Sequence, residues 1–123
     1  MKSIIFIRHA KSSWEFNLPD KKRPLNKRGL FDADFMSSLE LVKSLKPEAV
    51  FCSNAVRTRE TCYAFLKNDV FPDDIVTYTD HLYVFDHLDL KTFITTLNPK
   101  LSKIFIFGHN NALTKLVNQL GEV

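Results

Sequence analysis

Two histidines each stand just past an apolar run. His9 follows Ile4-Ile5-Phe6-Ile7 through Arg8, and His109 follows Ile104-Phe105-Ile106-Phe107 through Gly108. Between them, Ala49-Val50-Phe51-Cys52 leads into Ser53 and then Arg57. Any one of these is an ordinary residue, and a lone histidine after a strand is most often structural. Together, two imidazoles and two guanidiniums delivered by three separate runs suggest one site that holds a small anion rich in oxygens. Guanidinium offers the planar pair of donors that phosphoryl oxygens accept best. A neutral imidazole keeps a lone pair at pH 7 and can take a phosphoryl group.

The chemistry that follows is phosphoryl transfer. His9 is the candidate nucleophile. Arg8, Arg57 and His109 would hold the equatorial oxygens while charge develops, and water would then hydrolyse a phospho-His9 intermediate. A metal site is the competing use of two histidines, but neither has an Asp, Glu or Cys beside it at ligand spacing, so no metal is expected. Arg59, two residues beyond Arg57, should face solvent, and His81 and His87 read as incidental. Cys52 and Cys62 are too few for a disulfide framework and read as buried free thiols.

The elements that would position these groups are short strands and helices in alternation. Ile4–Ile7, Ala49–Cys52, Ile75–Tyr78 and Ile104–Phe107 are continuous rather than alternating in hydrophobicity, as parallel strands covered on both faces should be. Phe31, Phe35, Leu39 and Val42 form a helical stripe, with Asn26 as N-cap and Pro47 as terminator. Ser53 could cap a helix running to about Leu66, Leu88–Leu97 reads as a third, and Asn110–Leu120 as a fourth, ended by Gly121. Ser12–Pro24 is expected to be a loop. The fold class is α/β: a three-layer sandwich whose central, mostly parallel sheet is flanked by helices. In such sheets ligands bind beyond the carboxyl ends of the strands, where Arg8, His9, Ser53 and His109 all arrive. The N-terminus of the helix after His109 would add a weak anion site.

The chain has 123 residues, 45% hydrophobic, with 11 Phe and a net charge of +3. That length fits a single domain, residues 1–123, with a real core. The small positive charge suits an anionic ligand and not an extended nucleic-acid surface. Neither a secretory h-region of roughly 7–15 apolar residues nor a span of about 20 is present. A cytoplasmic protein without a membrane segment is expected, and monomer is the default. Lys21-Lys22-Arg23 with Lys27-Arg28 could dock an acidic phosphoprotein or simply be a solvated loop, and Trp14 in the same loop could be a contact or pack back on the sheet.

These motifs resemble those of the histidine phosphatase superfamily, the phosphoglycerate mutase-like proteins, and within it the phosphohistidine phosphatase (SixA-like) branch. Arg8-His9-Ala10-Lys11-Ser12-Ser13-Trp14, Arg23-Pro24-Leu25-Asn26-Lys27-Arg28-Gly29, Ser53 to Thr61, Leu82-Tyr83 and Gly108-His109-Asn110-Asn111 match in order and spacing from residue 3 to about 120. The resemblance implies a phosphatase without metal or organic cofactor, phosphorylated on His9, with Arg8, Arg57 and His109 completing the pocket. Ser12 is added as a substrate-binding residue. Two departures stand out. The acid that many members use as proton donor is missing where Val84 and Phe85 stand, which leaves Asp80 and Asp86 as candidates. The chain also ends at Val123, short of a further strand and helix; a truncated piece and a natural short form both fit, and one sheet edge would then lack its cover.

The missing acid bears on the substrate. An alkoxide leaving group has a conjugate acid near pKa 16 and imidazole one near 6.5, a gap of about 9 units, and even a third of it is several hundredfold in rate. A site without a strong acid therefore favours phosphohistidine or an activated ester. The partner would be a phosphohistidine-bearing protein or a phosphorylated small molecule. The alternatives are a phosphatase or mutase for a small phosphate ester, and a phosphate-binding module without turnover.

Overall fold

The computed structural model describes residues 3–83 and 86–109. The expected helix over 110–120 and its stop at Gly121 lie outside them, as do Val84, Phe85, Asn110 and Asn111. All four apolar runs are strands: β1 (Ser3–Arg8), β2 (Ala49–Ser53), β3 (Val76–Thr79) and β4 (Lys103–Gly108). They pair in parallel throughout, in the order β1-β4-β2-β3. The third strand starts one residue later than expected, because Ile75 closes the 3-10 turn Asp73–Ile75.

The unbroken hydrophobicity of the strands is explained by burial of both sheet faces. Val50, Cys52, Phe105 and Phe107, with Ile5 and Ile7 beside them, point to one face and meet Cys62, Phe65, Val70 and Phe71. Ile104 and Ile106, with Ile4, Phe6 and Phe51, point to the other and meet Leu82, Leu90 and Leu97. Edge-to-face pairs of Phe71 with Phe105 and of Phe65 with Phe107 lock the first core, with centroids 5.9 and 5.0 Å apart. Cys52 and Cys62 are both buried free thiols; the adjacent Cys62 and burial push the Cys52 thiol far up, so it stays protonated and inert. Among the described residues no helix is long and apolar enough to cross a membrane.

The helices are α1 (Lys27–Ser38), the single turn α2 (Glu40–Lys43), α3 (Val56–Lys67) and α4 (His87–Thr95). The Asn26 side chain caps α1 by accepting from the Gly29 amide at 2.8 Å, as its position before the periodic run predicted. The rest of that expectation is corrected. The helix does not run on to Val42: Leu39 is extended, with ψ 135°. Nor is the phenylalanine stripe its buried face. Phe31 and Phe35 are 65% and 56% exposed and stack on one another. The buried face is Gly29, Ala33 and Ser37, small residues that let α1 lie close to its neighbours. The Ser37 hydroxyl donates to Ala33 O at 2.7 Å and to Ala64 O of α3 at 3.2 Å. A Cβ on Gly29 would stand 2.1 Å from Lys11 O. Close approach, not hydrophobicity, decided which side of α1 turned inward.

Candidate functional site

The carboxyl ends of β1, β4 and β2 lie side by side because β4 is threaded between the other two. Arg8 stands opposite Gly108 and Phe107 opposite Cys52. The His9 amide continues the ladder by donating to Gly108 O at 3.2 Å. Helix α3 then brings Arg57 over this edge. Thr61, one turn further along α3, fastens the two parts together: its Oγ1 accepts from the Ala10 amide at 3.0 Å while donating to Arg57 O at 2.8 Å.

Arg57, only 1% exposed, is the hub. Its Nε donates to His9 Nε2 at 3.3 Å and its Nη2 to His109 Nδ1 at 3.4 Å. Guanidinium can only donate, so both nitrogens facing it carry lone pairs. His9 Nδ1 therefore bears the proton, which it donates to Ala10 O at 2.6 Å. His109 Nε2 bears the other, directed at Ser53 Oγ, 2.9 Å away. Ser53 thus ends β2 and holds His109; it is not the expected cap of α3, where Ala55 occupies the N-cap without a side-chain bond. The two imidazole rings lie 5.5 Å apart.

Burial, Arg57, Arg8 and Arg23 lower the His9 pKa against the pull of Ala10 O. Burial, Arg57 and His9 lower His109 further, to about 3. Both rings are neutral at pH 7, and His9 Nε2 is a free base aimed at a cation. The described residues contain no group of three or more His, Cys, Asp or Glu able to hold a metal ion.

The cluster includes a residue that sequence reasoning passed over. Asp20, on the 3-10 turn Asp20–Lys22, accepts from Arg57 Nη2 at 3.0 Å through Oδ2, and its carbonyl accepts from Arg57 Nη1 at 2.7 Å. Oδ1 accepts from Arg23 Nε at 3.2 Å, and Tyr83 Oη donates to Oδ2 at 2.5 Å. The Tyr83 hydroxyl, Arg57 and Arg23 pull the Asp20 carboxyl down to about 2. Tyr83 also sets its ring edge-on to His109, 5.4 Å away. Apart from Pro19 before it, Asp20 has no local sequence signal, because the partner that makes it matter is on another element.

The other expected residues fall outside this cluster. Arg8 is exposed at the end of β1; it bears on His9 through its charge, and no hydrogen bond joins it to His9, Arg57 or His109. Ser12 Oγ accepts from Arg23 Nη1 at 3.0 Å, so it braces the loop. Asp80 pairs with Lys21 and accepts from Asn54, which hold it ionised. Asp86 caps α4 through the Leu88 amide. The basic cluster is largely engaged within the chain: Lys21 pairs with Asp80, Arg28 with Asp32, and buried Arg23 bonds Asp20, Ser12 and Ser13. Trp14 is 78% exposed and carries the Arg23 guanidinium 3.5 Å from its ring. Arg59 is exposed, as expected, and stacks on Tyr78.

Comparison with known proteins gives the fold its place. No protein-family model matches the chain. A chloroplastic, uncharacterized protein of Arabidopsis thaliana is 31% identical over 97% of this chain, which spans 59% of that relative's length. A candidate phosphohistidine phosphatase SixA from Agrobacterium tumefaciens superposes with a TM-score of 0.82 at 24% identity, over 95% of this chain and 75% of that one. The protein histidine phosphatase SixA in complex with tungstate superposes at 0.80 and 18%, with the same coverage.

Proposed function

We propose, from the SixA-type histidine phosphatase fold that this chain has, that it is a phosphatase working through phospho-His9 and that its substrate is a phosphohistidine. The observation that carries the reading is the state of His9: its Nδ1 proton is held by Ala10 O, and its Nε2 lone pair is turned toward Arg57. That is the tautomer a nucleophile at Nε2 requires. A phosphoryl group on Nε and Nη2 of Arg57 would take over the Nη2 bond that Asp20 Oδ2 now accepts, with His109 beside it. Arg8, exposed at the same strand end, adds charge as the substrate's oxygens arrive. His9 Nε2 forms a bond to phosphorus as the bond to the leaving atom breaks and its electron pair departs with the leaving group. Water then attacks phosphorus, the P–Nε2 bond breaks, and inorganic phosphate leaves.

The carboxyls near the cluster support the substrate class. Asp20 and Asp80 are both held ionised, so neither stands ready to protonate an alkoxide. A leaving group that departs without that help, imidazole or an aryl oxide, fits best. Rapid-quench labelling tests the proposal. An activated phosphodonor should leave acid-labile, alkali-stable phosphate on His9, and His9→Ala should abolish it. Label on Ser or Asp, or label that survives the substitution, would overturn it.

A further inference from the structure

We infer that Asp20 is the specificity-determining residue of this site: its carboxylate accepts the free ring N–H of a leaving imidazole. The inference rests on the reading above and names which leaving groups the site selects. Asp20 and His9 are both held by the guanidinium of Arg57. His9 Nε2 lies at the Nε end, 3.3 Å away, and Asp20 Oδ2 at the Nη2 end, 3.0 Å away. A phosphoryl group that takes its oxygens' bonds from Nε and Nη2 would lie between the nucleophile and the carboxylate. Arg57 and His109 are buried, whereas the Asp20 side chain is 45% exposed. Asp20 therefore stands on the solvent side, from which a substrate enters and toward which its leaving group departs.

The hydrogen-bond inventory explains the exchange. A carboxylate has about four acceptor sites, and Asp20 fills them with Arg23 Nε and Nη2, Arg57 Nη2 and Tyr83 Oη. When Arg57 turns its Nη2 proton to a phosphoryl oxygen, one Oδ2 site is vacated. Arg23 and Tyr83 still hold the carboxylate in place. The ring of a phosphohistidine carries phosphorus on one nitrogen and, when protonated, a hydrogen on the other. An ionised Asp20 stabilises that protonated form. As His9 Nε2 bonds to phosphorus, the P–N electron pair returns to the substrate ring, which leaves as neutral imidazole with its N–H intact. No proton has to move. Without the N–H, the ring would depart as an imidazolate, a far poorer leaving group. An ester oxygen at the same place would face a negative charge and gain nothing, so one carboxylate favours P–N bonds and disfavours P–O bonds.

Two measurements test this. The first is the ratio of kcat/KM for a phosphohistidine peptide to that for an aryl phosphate, in wild type and in Asp20→Asn. The ratio should fall at least about tenfold, the scale of one charge-assisted hydrogen bond. An unchanged ratio, whether both activities fall, rise or stay, overturns the inference and leaves Asp20 only a support for Arg57. The second needs no variant. Imidazole and N-methylimidazole have similar basicity, but only imidazole has an N–H to offer. Added to labelled phospho-enzyme, imidazole should speed loss of label about tenfold more, and equal acceleration overturns the inference. If wild type forms no phospho-His9 at all, it is the proposed function that fails, and the two failures are told apart.

Discussion

A fully buried guanidinium is costly unless its protons are directed at acceptors. Arg57 directs four of its five protons at a carboxylate, a carbonyl and two imidazoles, which are the partners a phosphoryl group would replace or join. Arg57→Ala should weaken phosphate or vanadate binding and lower turnover together, by on the order of a hundredfold in turnover, as read by titration and steady-state rates. Unchanged constants would remove Arg57 from the site. Ser53→Ala removes a buried hydrogen bond to His109 Nε2, at an expected cost of about 1 kcal/mol in unfolding free energy from urea titration. The imidazoles also set a pH dependence. His109 titrates near 3 when folded and near 6.5 when unfolded. The unfolded chain therefore binds more protons as pH falls, and stability present above 6.5 is lost progressively down to about 3. His109→Gln should flatten that decline by up to about 1.4 kcal/mol per pH unit, measured by urea unfolding between about pH 6.5 and 4. A slope identical to wild type would contradict the neutral, buried ring. The Asp20 contribution is lost in its own window, below the usual carboxyl value and toward about 2.

At the scale of elements, helix α1 shows shape winning over hydrophobicity. Phe31 and Phe35 had the helical spacing of a core face, yet they stack in solvent, while Gly29, Ala33 and Ser37 pack inward. Replacing both phenylalanines with Ser should move stability by less than about 1 kcal/mol, within the range of ordinary surface changes; a core loss of several kcal/mol would restore the stripe as a buried face. Gly29→Ala should do the opposite. The added methyl meets the backbone of Lys11, whose carbonyl also accepts from the Asn26 amide at 2.9 Å. The shift needed is expected to cost about 1–3 kcal/mol. It should also lower turnover, because Lys11 is two residues from His9. Equal activity at equal folded fraction would show that the His9 loop tolerates the displacement.

Across the whole molecule, the candidate site draws on positions 9, 20, 53, 57, 83 and 109, nearly the full span of the described chain. Only the threading of β4 between β1 and β2 makes their strand ends neighbours. Such a site has no local substitute, so activity and global structure should be lost in one denaturant transition. Activity lost at clearly lower urea than the far-ultraviolet circular dichroism would show that the loop carrying Asp20 opens by itself.

The residues that form the strands were legible in sequence because burial on both faces demands an unbroken apolar run, and that demand is local. The pairing of His9 with Arg57 and His109 was legible for a related reason: each follows a strand end, and an open parallel sheet gathers those ends on one edge. What needed the tertiary structure were contacts with no period and no neighbour in sequence. Asp20 reaches Arg57 from a polar loop across a separation no pattern encodes, and Arg8, though beside His9, is left exposed. The inward face of α1 was settled by how closely two backbones can approach, a property of the space between elements rather than of either one.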